Sequence, residues 1–213
     1  MIEAETNKIM KSNSLLSSEK EILFNFFNQI HPITKIEFET IINGFKKKTY
    51  KKAELILTTG QIETKSSLVV KGVVHQYVVI DGDVCTIDFS LSGMSYNSFT
   101  SYVENSPSNQ IQEALTDVEI IFIEKSDAEI LLLENHYFCY IYTKLYEQVH
   151  LEREKRSLLL QHKNASKRFE LFLKTITKSE DFLREVPQKL IANYLSITPE
   201  TYSRVKKKYL KKL

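Results

Sequence analysis

The sequence predicts an α+β protein in three parts. Residues 1–134 form an antiparallel β-roll of jelly-roll type with flanking helices, 135–163 a long dimerisation helix, and 164–213 a helix-turn-helix. Three observations predict it. Between Thr49 and Ile123 apolar residues come in short runs separated by turn residues, which is the pattern of an antiparallel roll or barrel. From about His136 to His162 a helical stripe runs on for longer than a domain of this size needs. After Val186, two short helical patterns meet at a tight polar turn.

Taken in order, 1–14 is polar and reads as loose. Ser17-Ser18-Glu19-Lys20-Glu21 opens a helix whose stripe is Ile22, Leu23, Phe26, Phe27 and Ile30, and Pro32 ends it. Ile36–Phe45 reads as a second short helix, closed by Gly44 and the basic run Lys46-Lys47-Lys48. Glu54–Thr58 and Ser67–Val70 are strands. Val73–Ile80 and Val84–Phe89 flank Asp81-Gly82-Asp83, a strong hairpin signal because Asp-Gly tolerates the positive φ of a tight turn. Residues 90–108 read as loop and short helix, and Ile111–Leu115 with Val118–Ile123 as a strand pair across Thr116-Asp117.

A helix over Ser126–Leu133 is followed, past a break at Glu134-Asn135, by the long one. Its stripe is Phe138, Ile141, Tyr142, Leu145, Val149, Glu152, Arg156, Leu159 and Leu160. A seam of this length calls for a partner helix, so Phe138, Ile141, Tyr142, Leu145 and Val149 are expected in a homodimer interface. Glu152 and Arg156 can pair at i,i+4. Asn164-Ala165-Ser166 caps a further helix with Phe169, Leu173 and Ile176 inward, and Thr177–Glu185 links it to the C-terminal pair.

That pair is the most specific stretch of the chain. Pro187 suits a first helical turn, where no backbone donor is needed. Ile191, Ala192 and Leu195 share a face, and Ala192 is small enough to let a second helix cross closely. Ser196-Ile197 is the turn, with Ile197 as its buried plug. Thr198 is an N-cap and Pro199 takes the first helical position. In the second helix Tyr202, Val205 and Tyr209 face one way, and Glu200, Arg204, Lys207 and Lys211 lie about 180° away. One face packs and the other is free, polar and basic, which is the layout of a helix that enters the major groove.

The charge distribution agrees. The chain carries a net charge of +2, but residues 163–213 hold 13 Lys/Arg against 5 Asp/Glu, a net of +8 that leaves −6 for the remainder. A basic end on an acidic body suits one module meeting double-stranded DNA. No apolar run approaches the roughly 20 residues of a membrane span, and no secretory leader is visible, so a cytoplasmic setting with reduced thiols is expected. Two cysteines, Cys85 and Cys139, cannot hold a four-cysteine iron–sulfur cluster. His31, His75, His136, His150 and His162 show no paired metal spacing, so neither a metal nor a cofactor is expected. No nucleophile–base pair or Gly-rich phosphate loop points to an enzyme.

Residues 186–204, Val-Pro-Gln-Lys-Leu-Ile-Ala-Asn-Tyr-Leu-Ser-Ile-Thr-Pro-Glu-Thr-Tyr-Ser-Arg, resemble the Crp/Fnr family of bacterial transcription regulators in its Bacteroidetes-type form. Tyr50-Lys51-Lys52-Ala53-Glu54, Val70-Lys71-Gly72-Val73 and Glu113-Ala114-Leu115-Thr116-Asp117 are similar to the family's roll. The resemblance implies a cyclic-nucleotide-binding-like roll, a dimer through the long helix and effector-gated DNA binding, with RNA polymerase as a further partner. It implies base reading by Glu200 and Arg204, with Pro199 and Ser203 beside them. Phosphate contacts fall to Lys189, Thr198, Thr201, Lys207, Lys208 and Lys211.

The departures matter as much. The family's phosphate-binding Arg aligns at about Ser108, no Arg lies between Lys71 and Arg153, and Ser95–Tyr102 contains no Glu for a ribose. A phosphodiester buried without a cation is costly, so cyclic AMP is not the expected ligand. A pocket at Ser95, Tyr96 and Ser108 would suit an uncharged or weakly polar small-molecule effector, or none. Ser196 stands where the family's turn has Gly, and a left-handed Ser costs about 1 kcal/mol. The alternative reading is a ligand-binding signalling module without DNA contact.

Overall fold

The computed structural model describes residues 15–211, so the polar stretch 1–14 lies outside the described residues. Two compact units share the chain. One comprises the chain up to Val74 with Ser90–Leu145, the other His75–Phe89 with the chain from Tyr146 on.

In the first unit, helix α1 (Ser17–Ile30) buries Leu23 and Phe27. Ile22, expected in the same stripe, faces outward. Helix α2 is shorter than the sequence suggested, Lys35–Glu39, and a 3-10 turn follows at Ile42–Gly44. It starts cleanly because the Thr34 hydroxyl accepts from the Glu37 N–H at 3.3 Å, while the Glu37 carboxylate accepts from the Thr34 N–H at 2.7 Å. The basic run does not close a helix. Lys46, Lys47 and Lys48 lie in strand β1 (Phe45–Tyr50), where Lys46 meets Asp127 at 3.2 Å and Lys47 meets Glu19 at 3.0 Å.

The remaining strands are β2 (Leu55–Leu57), β3 (Lys65–Lys71), β4 (Val73–Ile80), β5 (Asp83–Leu91), β6 (Ser95–Tyr96), β7 (Ile111–Ala114) and β8 (Val118–Glu124), with helix α3 (Phe99–Glu104) between β6 and β7. They form two four-stranded sheets, ordered β1-β8-β3-β6 and β2-β7-β4-β5. β8 is the centre of the first, antiparallel to β1 with Phe45 opposite Ile123 and to β3 with Leu68 opposite Ile121.

Strands β7 and β8 are therefore not a hairpin: they lie in different sheets. Thr116-Asp117 is a corner, not a turn between partners. The Thr116 hydroxyl accepts from the Val73 N–H at 3.1 Å, and the Asp117 carboxylate accepts from the Lys52 N–H at 3.0 Å and from Lys51 Nζ at 2.9 Å. Gly72, at φ +89, lies so close that a Cβ there would sit 2.4 Å from the Asp117 carbonyl oxygen.

Helix α4 (Lys125–Glu134) ends at Asn135, and α5 runs over His136–Gln161. Asn135 makes the break by accepting from the Phe138 N–H at 3.0 Å and donating to the Thr40 hydroxyl at 2.7 Å. The core of this unit gathers Leu23, Phe27, Phe38, Ile41, Leu68, Ile121 and Ile123, and it includes Phe138 and Ile141. Both are 1% exposed, so they fill the protomer's own core and are closed to a partner. Tyr142 packs against the same core and shares a hydrogen bond with the Tyr102 hydroxyl at 3.1 Å. Leu145 lines a small apolar cavity of about 30 Å³ there, and Val149 is half-buried. The stripe read as a seam is the helix's inward face. Exposed apolar residues lie on the opposite one: Tyr140, Leu151 and Leu158.

In the second unit, β4 and β5 meet at Asp81 (φ 53) and Gly82 (φ 86), the conformation Asp-Gly was expected to adopt. Helix α6 (Ala165–Thr175) is capped by Asn164, whose side chain accepts from Ser166 and Lys167. Its core residues are Phe169 and Phe172. The presumed link holds another helix, α7 (Ser179–Glu185), with Phe182 fully buried. Helices α8 (Gln188–Tyr194) and α9 (Pro199–Leu210) complete the unit. Glu152 and Arg156 do not pair. Glu152 takes Lys155 at 2.6 Å and the Thr177 N–H at 3.0 Å, and Arg156 goes to backbone carbonyls.

Candidate nucleic-acid interface

The C-terminal pair is assembled from its turn outward. Ile191, Ala192 and Leu195 of α8 are wholly buried, so the small Ala192 sits at the helix contact as its size suggested. Ser196 has φ 52, the left-handed conformation that closes α8, and the Ile197 N–H donates to the Ala192 carbonyl at 3.0 Å. Ile197 is only half-buried, so it plugs the turn incompletely. Thr198 caps α9, its hydroxyl accepting from the Thr201 N–H at 3.2 Å, and Pro199 occupies the first turn.

One residue that sequence reasoning missed holds this turn. Arg168 of α6 donates through Nη1 to the carbonyls of Leu195 (3.0 Å) and Ser196 (2.8 Å), and through Nε to the His162 carbonyl (2.6 Å). These are carbonyls at a helix C-terminus, where partial negative charge collects and a guanidinium is favoured. Arg168 is thus a brace for the turn, although its basic character alone would have put it among DNA contacts.

On α9 the two faces separate as read. Tyr202 and Val205 are buried, with Tyr209 half-buried, and Phe169 meets Tyr202 and Tyr209 edge-on, both at ring distances of 5.7 Å. Burial pushes the Tyr202 phenol up to about 12. Outward stand Pro199, Glu200, Ser203, Arg204, Lys207, Lys208 and Lys211, all exposed. Lys189 and Thr198 are exposed and Thr201 half-buried. The Glu200 carboxyl is held below its ordinary range by its own backbone N–H and the Thr198 hydroxyl, so it stands ionised and able to accept. The helix therefore presents one acceptor, Glu200, one planar fork of donors, Arg204, and a basic C-terminal end.

The expected effector residues fare differently. Ser95 and Tyr96 are neighbours on β6 and point to opposite sides. Ser95 lines the apolar cavity beside Leu23 and Phe138, while Tyr96 enters the core around Val69, Val74 and Ile120. They cannot line one pocket. Ser108 is buried and spent: it shares a hydrogen bond with the Ser98 hydroxyl at 2.9 Å and bonds the Gln110 backbone.

The polar centre of the roll is a residue the sequence did not single out, Glu63, only 6% exposed. Its carboxylate accepts from the Gln112 amide at 2.8 Å, the Lys65 N–H at 3.1 Å and the Ser98 N–H at 3.3 Å. Its own N–H donates to the Ser101 hydroxyl at 2.9 Å. An acidic residue within a strand-rich segment gives no sequence signal for this, because its partners are scattered between 65 and 112.

No protein-family model and no curated protein sequence matches the chain. Solved structures do. The structure of FixK2 from Bradyrhizobium japonicum is 23% identical, with 79% of this chain and 85% of that one covered and a TM-score of 0.64. A CooA mutant from Carboxydothermus hydrogenoformans is 17% identical over 79% of this chain and 78% of that one, at 0.61. A structure described as a transcriptional regulator of the Crp/Fnr family, from Eubacterium rectale, is 17% identical over 88% of each chain, also at 0.61. Likeness at these identities establishes architecture: the chain has the Crp/Fnr fold, a cyclic-nucleotide-binding-type β-roll, a long helix and a C-terminal helical domain.

Proposed function

We propose that the chain is a sequence-specific DNA-binding transcription regulator of the Crp/Fnr type, acting as a homodimer, whose roll does not take cyclic AMP. One observation carries the reading: α9 is a capped helix with its apolar face buried, Glu200, Arg204, Lys207 and Lys211 exposed on the other side, and Lys208 exposed on its flank. Arg204 can fork onto guanine O6 and N7, and ionised Glu200 can accept from cytosine N4. The lysines, with Lys189, Thr198 and Thr201, supply sequence-independent phosphate contacts. Pro199 and Ser203 flank the readers and shape what the groove admits.

The homodimer reading moves to the outward face of α5. Tyr140, Lys144, Glu147, Leu151, Glu154 and Leu158 follow a 4-3 spacing, the seam of a two-helix coil. A second copy seated there would bury Tyr140, Leu151 and Leu158. Two recognition helices must then stand about 34–36 Å apart to enter successive major grooves.

Glu63 argues against an anionic effector. Its carboxylate already takes the Gln112 amide and the Ser98 N–H of the roll's interior, and a phosphodiester beside it would meet like charge. An uncharged effector, or constitutive DNA binding, fits better.

The test is duplex binding by the full chain in a random-sequence selection repeated at several salt concentrations. Steep salt dependence with an enriched motif is expected. Absence of salt-dependent duplex binding would leave the signalling-module reading in its place.

A further inference from the structure

Strand β5 pairs with β4 along one edge. Alternate residues of a strand offer their N–H and C=O groups to the same side, so Val84 and Thr86 share an edge. That edge is occupied by side chains from the helices. The Asn193 amide of α8 donates through Nδ2 to the Val84 carbonyl at 2.8 Å and accepts through Oδ1 from the Thr86 N–H at 2.6 Å. It takes the two groups as a neighbouring strand would. Arg156 of α5 adds Nη2 to the Thr86 carbonyl at 2.9 Å and to the Tyr194 carbonyl at 3.1 Å, with its guanidinium 4.4 Å above the Tyr194 ring. Below this latch Phe89 packs against Phe182 and Tyr194, with ring centroids 5.8 and 5.9 Å away.

We infer that Asn193 and Arg156 are positioning residues that fasten α8 to the edge of β5, so that the hairpin 75–89 sets how the recognition helix is presented. Asn193 is half-buried and both ends of its amide are taken by strand backbone, which makes it a poor candidate for a DNA contact. The inference rests on the DNA-binding reading only for its second half. The latch itself can be judged without DNA.

The experiment uses the full chain with Asn193→Ala and the near-isosteric Asn193→Asp, which keeps an acceptor for Thr86 but turns an oxygen toward the Val84 carbonyl. Amide hydrogen exchange at Thr86 is measured first. Loss of the side-chain acceptor in Asn193→Ala should speed exchange about tenfold or more, and Asn193→Asp should fall between it and the parent. Duplex affinity across a salt series is measured next. A loss of about three- to tenfold with an unchanged salt slope is expected, because no phosphate contact is removed. Unchanged Thr86 exchange in both variants would overturn the latch. Faster exchange with unchanged affinity would overturn the positioning role. A parent chain that binds no duplex would sink the DNA reading, and the exchange data would still decide the latch.

Discussion

Glu63 and Glu200 carry the same carboxylate and live opposite lives. Glu63 lies inside the roll with backbone and amide donors on both oxygens, and Glu200 stands at the start of α9 facing outward. Glu63 has spent its acceptors inside the roll, whereas Arg204, Lys207 and Lys208 of α9 stand exposed. A carboxylate whose hydrogen bonds are internal resists a ligand, because entry must break them. A region with exposed, ionised and rigidly mounted groups loses only water on binding. On the proposed reading, recognition falls to the C-terminal helix.

The largest effect expected on this contrast comes from the buried member. Glu63→Leu strips the acceptor from Gln112, Lys65 and Ser98 and should destabilise the fold by about 3–5 kcal/mol in urea denaturation. A loss under about 1 kcal/mol would mean the network contributes little. Arg204→Ala should do the reverse, leaving stability within about 0.5 kcal/mol while costing about 1–3 kcal/mol for specific duplex and relaxing the preferred sequence. Unaltered site selection would remove Arg204 from the readers.

A third prediction concerns the hairpin, where two groups titrate against each other. Burial pushes the Asp88 carboxyl up to about 6, tempered by the Phe89 N–H, Arg156 and Arg153 and reinforced by Glu152. Burial pulls His75 down to about 4, where it bonds the Thr86 hydroxyl. Raised Asp88 makes stability fall as pH rises from about 4 to 6. Depressed His75 makes it fall as pH drops from about 6.5 to 4. The two slopes nearly cancel in the parent. Asp88→Asn should expose the histidine's slope alone, a loss of about 1–2 kcal/mol between pH 7 and 4.5. A flat stability profile in that variant would refute the opposition. The smallest effect belongs to the turn: Ser196→Gly relieves a left-handed serine and should raise stability by up to about 1 kcal/mol without changing duplex affinity. A lower melting temperature would show that the serine is not strained.

What could be read ahead of the structure was local. Thr198, Pro199, Ala192 and the Asp81-Gly82 turn act on residues within a few positions, and each was found as expected. What could not be read depended on distant partners. Thr116-Asp117 looks like a hairpin turn until Gly72, Lys51 and Lys52 make it a corner. Helix α5 carries apolar residues on two opposite faces, and periodicity cannot tell which meets the protomer's own sheet; Phe138 and Ile141 do, leaving Leu151 and Leu158 outside. Arg168 and Arg156 count as charge in a sequence but act as donors to carbonyls 27 and 70 positions away. Glu63 was invisible for the same reason.

The Asn193 bond to Val84 spans 109 residues, and this separation has a cost during synthesis. The hairpin leaves the ribosome long before α8 exists, so its outer edge stays bare while the intervening helices are made. A bare edge is a template for pairing with another nascent chain, and contacts this far apart form slowly. The last turn of α8 therefore completes a strand begun half a chain earlier. Chains cut short before Asn193 should accumulate as aggregates, even though the described elements missing from them are helices joined by a turn.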